Sequence, residues 1–134
     1  MKHISFDPRF VNAAGNDLIS GKIHTIRQNY EYWKRYEGKE VALFTWEGKP
    51  YQPGSKQKVF CVKRIVSVQE IEFKKKAGMA PWFEINDEAY LGEDLSMIAR
   101  NDGLDNKYSF MNWFTNPIYK SGKMAIIHFT DFRY

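Results

Sequence analysis

Val41-Ala42-Leu43-Phe44-Thr45-Trp46 is a nearly continuous apolar run. It reads as a strand buried on both faces. Such a strand needs neighbours to take its backbone hydrogen bonds. The segment Lys58 to Phe73 is also rich in Val and Ile. It is too long for one flat strand, and Lys63-Arg64 marks a bend or bulge within it. Between the two runs, Glu47-Gly48-Lys49-Pro50 and Pro53-Gly54-Ser55 form a connecting loop.

The flanking sequence predicts helices at both ends of this strand-rich centre. His3 to Phe6 reads as a first strand. Asp7 can cap a helix with Pro8 at its first position, where a missing amide proton costs nothing. Phe10, Ala14 and Leu18 recur every four residues, with Val11 beside them, and predict one apolar helix face closed near Gly21. Ile23 to Arg27 reads as a strand, Asn29 to Glu37 as a helix or turn closed by Gly38. Lys74 to Ala80 is a loop inside one domain, and Pro81 to Ile85 a strand. Glu93 to Asn101 predicts a helix with Leu95, Ile98 and Ala99 on one face and Gly103 just past its end. Asp105 or Asn106 can cap a last helix whose inner face is Phe110, Met111 and Phe114, stopped at Asn116-Pro117. Lys123 to Phe132 is a closing strand. About six strands and three or four helices predict an α+β domain over 1–134, built as a small mixed β-barrel flanked by helices.

Composition narrows the class of partner. A length of 134 residues suits one domain. No apolar run is long enough for a membrane span, so no membrane partner is expected. Lys2, His3, Asp7 and Arg9 near the start argue against a signal peptide, and a cytoplasmic address and a monomer are the default expectations. The lone Cys61 sits among Val59, Phe60 and Val62 and reads as a core residue. The chain carries 22 aromatics, which can fill a core or line a pocket for a flat ligand. Trp46 and Trp82, near strand ends, can either pack or stack on a base. Residues 1–76 hold 15 Lys and Arg against 8 Asp and Glu, and residues 77–134 hold 5 against 8. The basic half is either a solvated surface or a contact for a phosphate-bearing partner. His3, His24 and His128 are far apart in sequence, so no metal site and no cofactor are expected, and no glycine-rich phosphate loop is present.

Two segments carry the densest chemistry. Gly21-Lys22-Ile23-His24-Thr25-Ile26-Arg27 places four reactive or anion-holding side chains within six residues. A desolvated lysine can act as a base, a threonine as a nucleophile once deprotonated, and an arginine as a fork for phosphate or carboxylate. In a strict strand Lys22, His24 and Ile26 share one face, and Thr25 and Arg27 the other. Lys22 and Thr25 therefore meet only if Lys22 sits in the turn before the strand, which Gly21 permits. The second segment is Ala99-Arg100-Asn101-Asp102-Gly103-Leu104. The helical face of Leu95, Ile98 and Ala99 continues to Asp102. An acid at a helix C-terminus opposes the helix dipole and needs a compensating cation or proton. The plain alternatives are a surface strand for the first segment and a solvent-exposed helix stop for the second.

The order of these segments resembles the ASCH domain family of the PUA-like superfamily. The resemblance rests on the N-terminal segment from Phe10, on Ile19 to Arg27 with its Gly-Lys and Thr-Ile-Arg, and on Ala99 to Leu104 followed by an aromatic-rich helix and a closing strand. It spans nearly the whole chain. It implies a small β-barrel whose cleft is lined by the Lys-Thr-Ile-Arg strand and an acidic helix end. Proteins of the superfamily commonly bind RNA or modified nucleobases, and some small bacterial ASCH proteins remove the acetyl group from acetylated cytidine with a lysine, a threonine and a glutamate. By motif, Lys22 and Thr25 match the lysine and threonine. Asp102 stands near the acid position, one methylene shorter than glutamate.

Two functions follow from this resemblance. The first is binding of RNA or a modified nucleobase or nucleoside, with His24, Arg27, Asn101 and Trp46 as contacts beside Lys22 and Asp102. The second is an amidohydrolase acting on an acylated nucleoside, with Lys22 as base, Thr25 as nucleophile and Asp102 as supporting acid. A nuclease using Lys22 and Arg27 and a purely structural domain are further readings.

Overall fold

The computed structural model describes residues 1–114 and 123–134. The first strand, β1 (Lys2–Ser5), runs into a 3-10 helix at Pro8–Phe10. β2 (His24–Gln28) and the one-turn α1 (Tyr30–Lys34) follow. The centre is β3 (Glu40–Glu47), β4 (Lys56–Arg64), β5 (Ser67–Lys74), β6 (Trp82–Ile85) and β7 (Glu88–Tyr90). Helices α2 (Glu93–Asn101) and α3 (Lys107–Phe114) precede β8 (Met124–His128). The Asn116-Pro117 stop signal and the Phe114 side chain lie outside the described residues.

The chain is α+β and rich in sheet, as the sequence predicts. The barrel is not formed. The strands make two open sheets, one ordered β1-β3-β4 and one ordered β2-β8-β5-β6-β7. The separation has a local cause. The bend foreseen at Lys63-Arg64 is a full break: β4 ends at Arg64, and Ile65 and Val66 carry the chain into the second sheet before β5 begins. Eight strands replace the expected six because the long Val/Ile segment becomes two and Glu88–Tyr90 adds a short edge strand. β3 is buried from Val41 to Phe44, as its apolar run requires. It pairs parallel with β1 and antiparallel with β4, whose ladder shifts register between Leu43 and Phe44.

The long N-terminal helix is also absent. Asp7 does cap Pro8, accepting a hydrogen bond from the Arg9 N–H at 2.9 Å, but the helix stops after one 3-10 turn. Asn12 redirects the chain. Its Oδ1 accepts from the backbone of Asn16 and Asp17, and Gly15 takes a φ of +74° between them. The turn closes as a bridge between Val11 and Leu18. Phe10 and Leu18 are both buried, so the apolar spacing that mimics a helix face marks two sides of a tight loop.

The core joins both sheets. Phe10, Leu18, Ile26, Leu43, Ile65, Ile71, Phe83, Ile98, Phe110 and Ile126 belong to one buried cluster. Cys61 is half-buried and packs at its edge. No helix among the described residues is long and apolar enough to cross a membrane.

Candidate functional site

Three local features bring the two chemical segments together. Gly21 turns the chain with φ +90°, and the strand begins only at His24. Lys22 therefore lies in the turn, free of strand alternation. The Ile23 N–H then donates to the Asn101 carbonyl at 2.8 Å, tying this turn to the end of α2. At that end, Gly103 takes φ +85°, and the Leu104 N–H returns to the Ala99 carbonyl at 2.9 Å. Such a left-handed residue after the last turn is a common helix stop. It has a second role here. A Cβ on Gly103 would lie 3.1 Å from Lys22 Cδ and 3.2 Å from Lys22 Cβ and Phe10 Cδ1. The lysine stem passes where a side chain would stand.

Lys22 is a buried cation with a defined partner. Its side chain is 2% exposed. Nζ donates to the Asp102 carbonyl at 2.6 Å and to Asp102 Oδ1 at 3.3 Å. It also sits 4.5 Å from the Phe10 ring centre and 5.7 Å from that of Phe6. The carbonyl contact uses the negative end of the α2 dipole, and the carboxylate receives the compensating cation it needs. Burial pushes the Lys22 amine below its usual range, and nearby Arg27 adds to this, while Asp102 opposes both.

Asp102 is held from a second side. His24 Nδ1 lies 3.2 Å from the same Oδ1, and His24 Nε2 lies 2.7 Å from the Tyr134 hydroxyl. A carboxylate only accepts, so Nδ1 carries the imidazole hydrogen and Nε2 accepts from Tyr134. Asn101 Nδ2 donates to the Tyr134 oxygen at 3.1 Å. Burial keeps the imidazole of His24 neutral and raises the Tyr134 hydroxyl above its ordinary range.

A cleft of about 210 Å³ opens over this pair. Ser5, Phe6, Asp7 and Phe10 line one side, and Lys22, Thr25, Ile26, Arg27 and Asp102 the other. Thr25 Oγ1 accepts from Arg27 Nε at 3.2 Å. Arg27 also donates to the Ser5 carbonyl and stacks 4.9 Å over Phe6. The guanidinium is thus committed to the cleft wall.

Of the seven predicted site residues, Lys22, Thr25, Arg27 and Asp102 line the cleft. His24 and Asn101 do not. His24 is completely buried, pointing with the strand's opposite face toward His128 and Tyr134, and its contact is Asp102 rather than the cleft. Asn101 supports Tyr134. Trp46 lies at the far end of β3, packed 5.4 Å from Phe44 and 5.1 Å from Tyr51. The sequence reading missed Phe6 and Phe10 as cleft walls, and it missed Tyr134, His128 and Gln69. His128 is directly opposite His24 across the β2–β8 ladder, and its Nε2 lies 2.8 Å from Gln69 Oε1. A histidine inside the apolar run Ala125-Ile126-Ile127-His128 was the available signal, since a buried polar group implies partners.

No family model matches the chain, and no curated protein or solved structure matches it.

Proposed function

We propose that the cleft binds one nucleobase or nucleoside bearing a carbonyl group. The observation that carries this reading is a pair of spare donors at one small cavity. An ammonium has three N–H groups, and two of those on Lys22 are spent on Asp102. The third has no hydrogen-bond acceptor among the described residues. The Thr25 oxygen accepts from Arg27, and its own hydrogen has no partner there either. Two donors beside the Phe6 and Phe10 rings suit a flat ligand with a carbonyl edge. The volume lies below the roughly 300–1,000 Å³ of pockets for larger ligands, so a strand of RNA would contribute one flipped-out base. In this reading the likeness to the PUA-like superfamily and its ASCH members is one of site chemistry and segment order.

One observation favours a second, hydrolytic reading of the same cleft. A neutral lysine has two N–H groups and one lone pair. Lys22 can therefore lose a proton and keep both hydrogen bonds to Asp102, with one lone pair left over in the cleft that Thr25 also lines. In an amidohydrolase, Lys22 takes the Thr25 proton and Oγ1 attacks the acyl carbon of an acylated nucleoside. The Arg27 N–H stabilises charge on Oγ1, and Lys22 returns the proton to the leaving amine. Water, deprotonated by Lys22, then releases the acyl group from Thr25.

The test is incubation of acetylated cytidine with wild type, Lys22→Met and Thr25→Ala, followed by chromatography and by a binding titration. The proposal predicts saturable binding to wild type, weaker saturable binding to Thr25→Ala, and loss in Lys22→Met. Cytidine released by wild type alone supports the hydrolytic reading. Absence of binding to any nucleoside overturns both.

A further inference from the structure

The hydrogen bonds behind the cleft form one unbroken chain. Asn101 donates to Tyr134, Tyr134 to His24 Nε2, and His24 Nδ1 to Asp102 Oδ1. Lys22 donates to that same oxygen from the cleft side. Every donor and acceptor in the chain has one consistent polarity, which fixes the His24 tautomer. The chain leaves the end of α2 at Asn101, passes through Tyr134 after β8 and His24 in β2, and returns to the end of α2 at Asp102.

We propose that Tyr134 and His24 are positioning residues that control the Lys22 proton by making the imidazole compete with the amine for Asp102 Oδ1. The inference rests on the reading of the cleft as a ligand site in which Lys22 acts. With its lone pairs divided, the carboxylate holds the ammonium less firmly than it would alone. The Tyr134 hydroxyl strengthens the competitor, because donation to Nε2 polarises the imidazole and makes Nδ1–H a better donor. The titratable and charged groups facing Lys22 are Asp102, Arg27 and His24, with Asp7 on the opposite cleft wall. Those facing His24 are Asp102, Lys22, Tyr134 and His128, the last with its ring centre 5.4 Å away.

Geometry alone would let His24 serve as a simple strut for Asp102. A strut and a competitor differ in what happens to the amine. Removing a strut loosens Asp102 and lets Lys22 lose its proton more easily. Removing a competitor gives the carboxylate wholly to Lys22, which then keeps its proton to higher pH.

The experiment follows the Lys22 side chain by its Cε resonance through a pH titration, in wild type, Tyr134→Phe and His24→Phe. The ring nitrogens of His24 are read in wild type in the same samples. The wild-type protein is expected to show hydrogen on Nδ1 and a hydrogen-bonded lone pair on Nε2. The Lys22 midpoint is expected to move upward in Tyr134→Phe, and further, by a unit or more, in His24→Phe. Tyr134→Phe keeps the ring contacts with His24 and His128, so it carries the test if His24→Phe does not fold. Hydrogen on Nε2 in wild type, or a Lys22 midpoint that stays or falls in folded Tyr134→Phe, overturns the proposal. These readouts need no ligand. If nucleosides fail to bind while the midpoints move as expected, the cleft reading fails and the coupling stands.

Discussion

A lysine amine with 2% of its side chain exposed must have its charge answered locally or lose it. In this chain the answer comes from one residue twice, through the carbonyl and the carboxylate of Asp102. Replacing Lys22 by Met therefore leaves a buried carboxylate with His24 as its remaining described donor. Breaking such a pair costs about 3–5 kcal/mol. The expected loss in urea unfolding is at the lower end of that range, because the His24 hydrogen bond survives. A loss below about 1 kcal/mol would mean that the pair is solvated like a surface bridge. Thr25 makes the opposite kind of prediction. Its ligand role is through a hydroxyl, so Thr25→Ser should retain turnover if the hydrolytic reading holds, while Thr25→Ala binds more weakly and loses turnover by 10²-fold or more.

At the scale of elements, the junction between α2 and the turn before β2 decides whether a cleft exists. Gly103 is fixed there by its φ of +85° and by the lysine stem 3.1 Å from where a Cβ would stand. Gly15 has a similar φ of +74° but open space around it. Alanine at Gly15 should cost about 1 kcal/mol, the ordinary penalty for a left-handed residue. Alanine at Gly103 should cost clearly more, up to about 3 kcal/mol, and should shift the Lys22 side-chain resonances. Equal losses at the two positions would show that the stem moves aside freely. The same scale explains what the sequence did and did not disclose. The α2 boundary and the turn placing Lys22 were legible, because helix stops and glycine turns are local chemistry. The helix expected from Asp7 to Gly21 failed because Asn12 side-chain bonds and Gly15 beat a periodicity of four apolar residues. Trp46 suits stacking by type, but it packs against Phe44 and Tyr51 and does not line the cleft.

Across the whole molecule, one face of the five-stranded sheet carries a polar seam formed by His24, His128, Gln69 and Tyr134. His128 in its apolar run signals a buried polar group in the sequence, but its partners come together only through the β2–β8 and β5–β8 pairings. The seam makes the fold sensitive to acid. Burial depresses His128 to about 3, and His24 is lowered for the same reason. Between pH 6.5 and that depressed value, the unfolded chain takes up protons that the folded one refuses. Stability is then full above about 6.5 and falls as pH drops, by up to about 1.4 kcal/mol per pH unit for each histidine. The carboxylates of Asp7, Asp17 and Glu37 are lowered by their partners, so their contribution is lost only near pH 4 and below. Urea midpoints between pH 5 and 7.5 lie above the range of these carboxylates, and His128→Gln should flatten the acid slope. A flat wild-type profile in that window would contradict a dry seam.

The most direct test of the central claim is a nucleoside titration followed by backbone amide and Lys22 side-chain resonances. The account predicts saturable shifts at Phe6, Lys22, Thr25, Ile26 and Asp102, abolished in Lys22→Met. Saturable shifts centred on Trp46 and Tyr51, with the cleft unmoved, would contradict it.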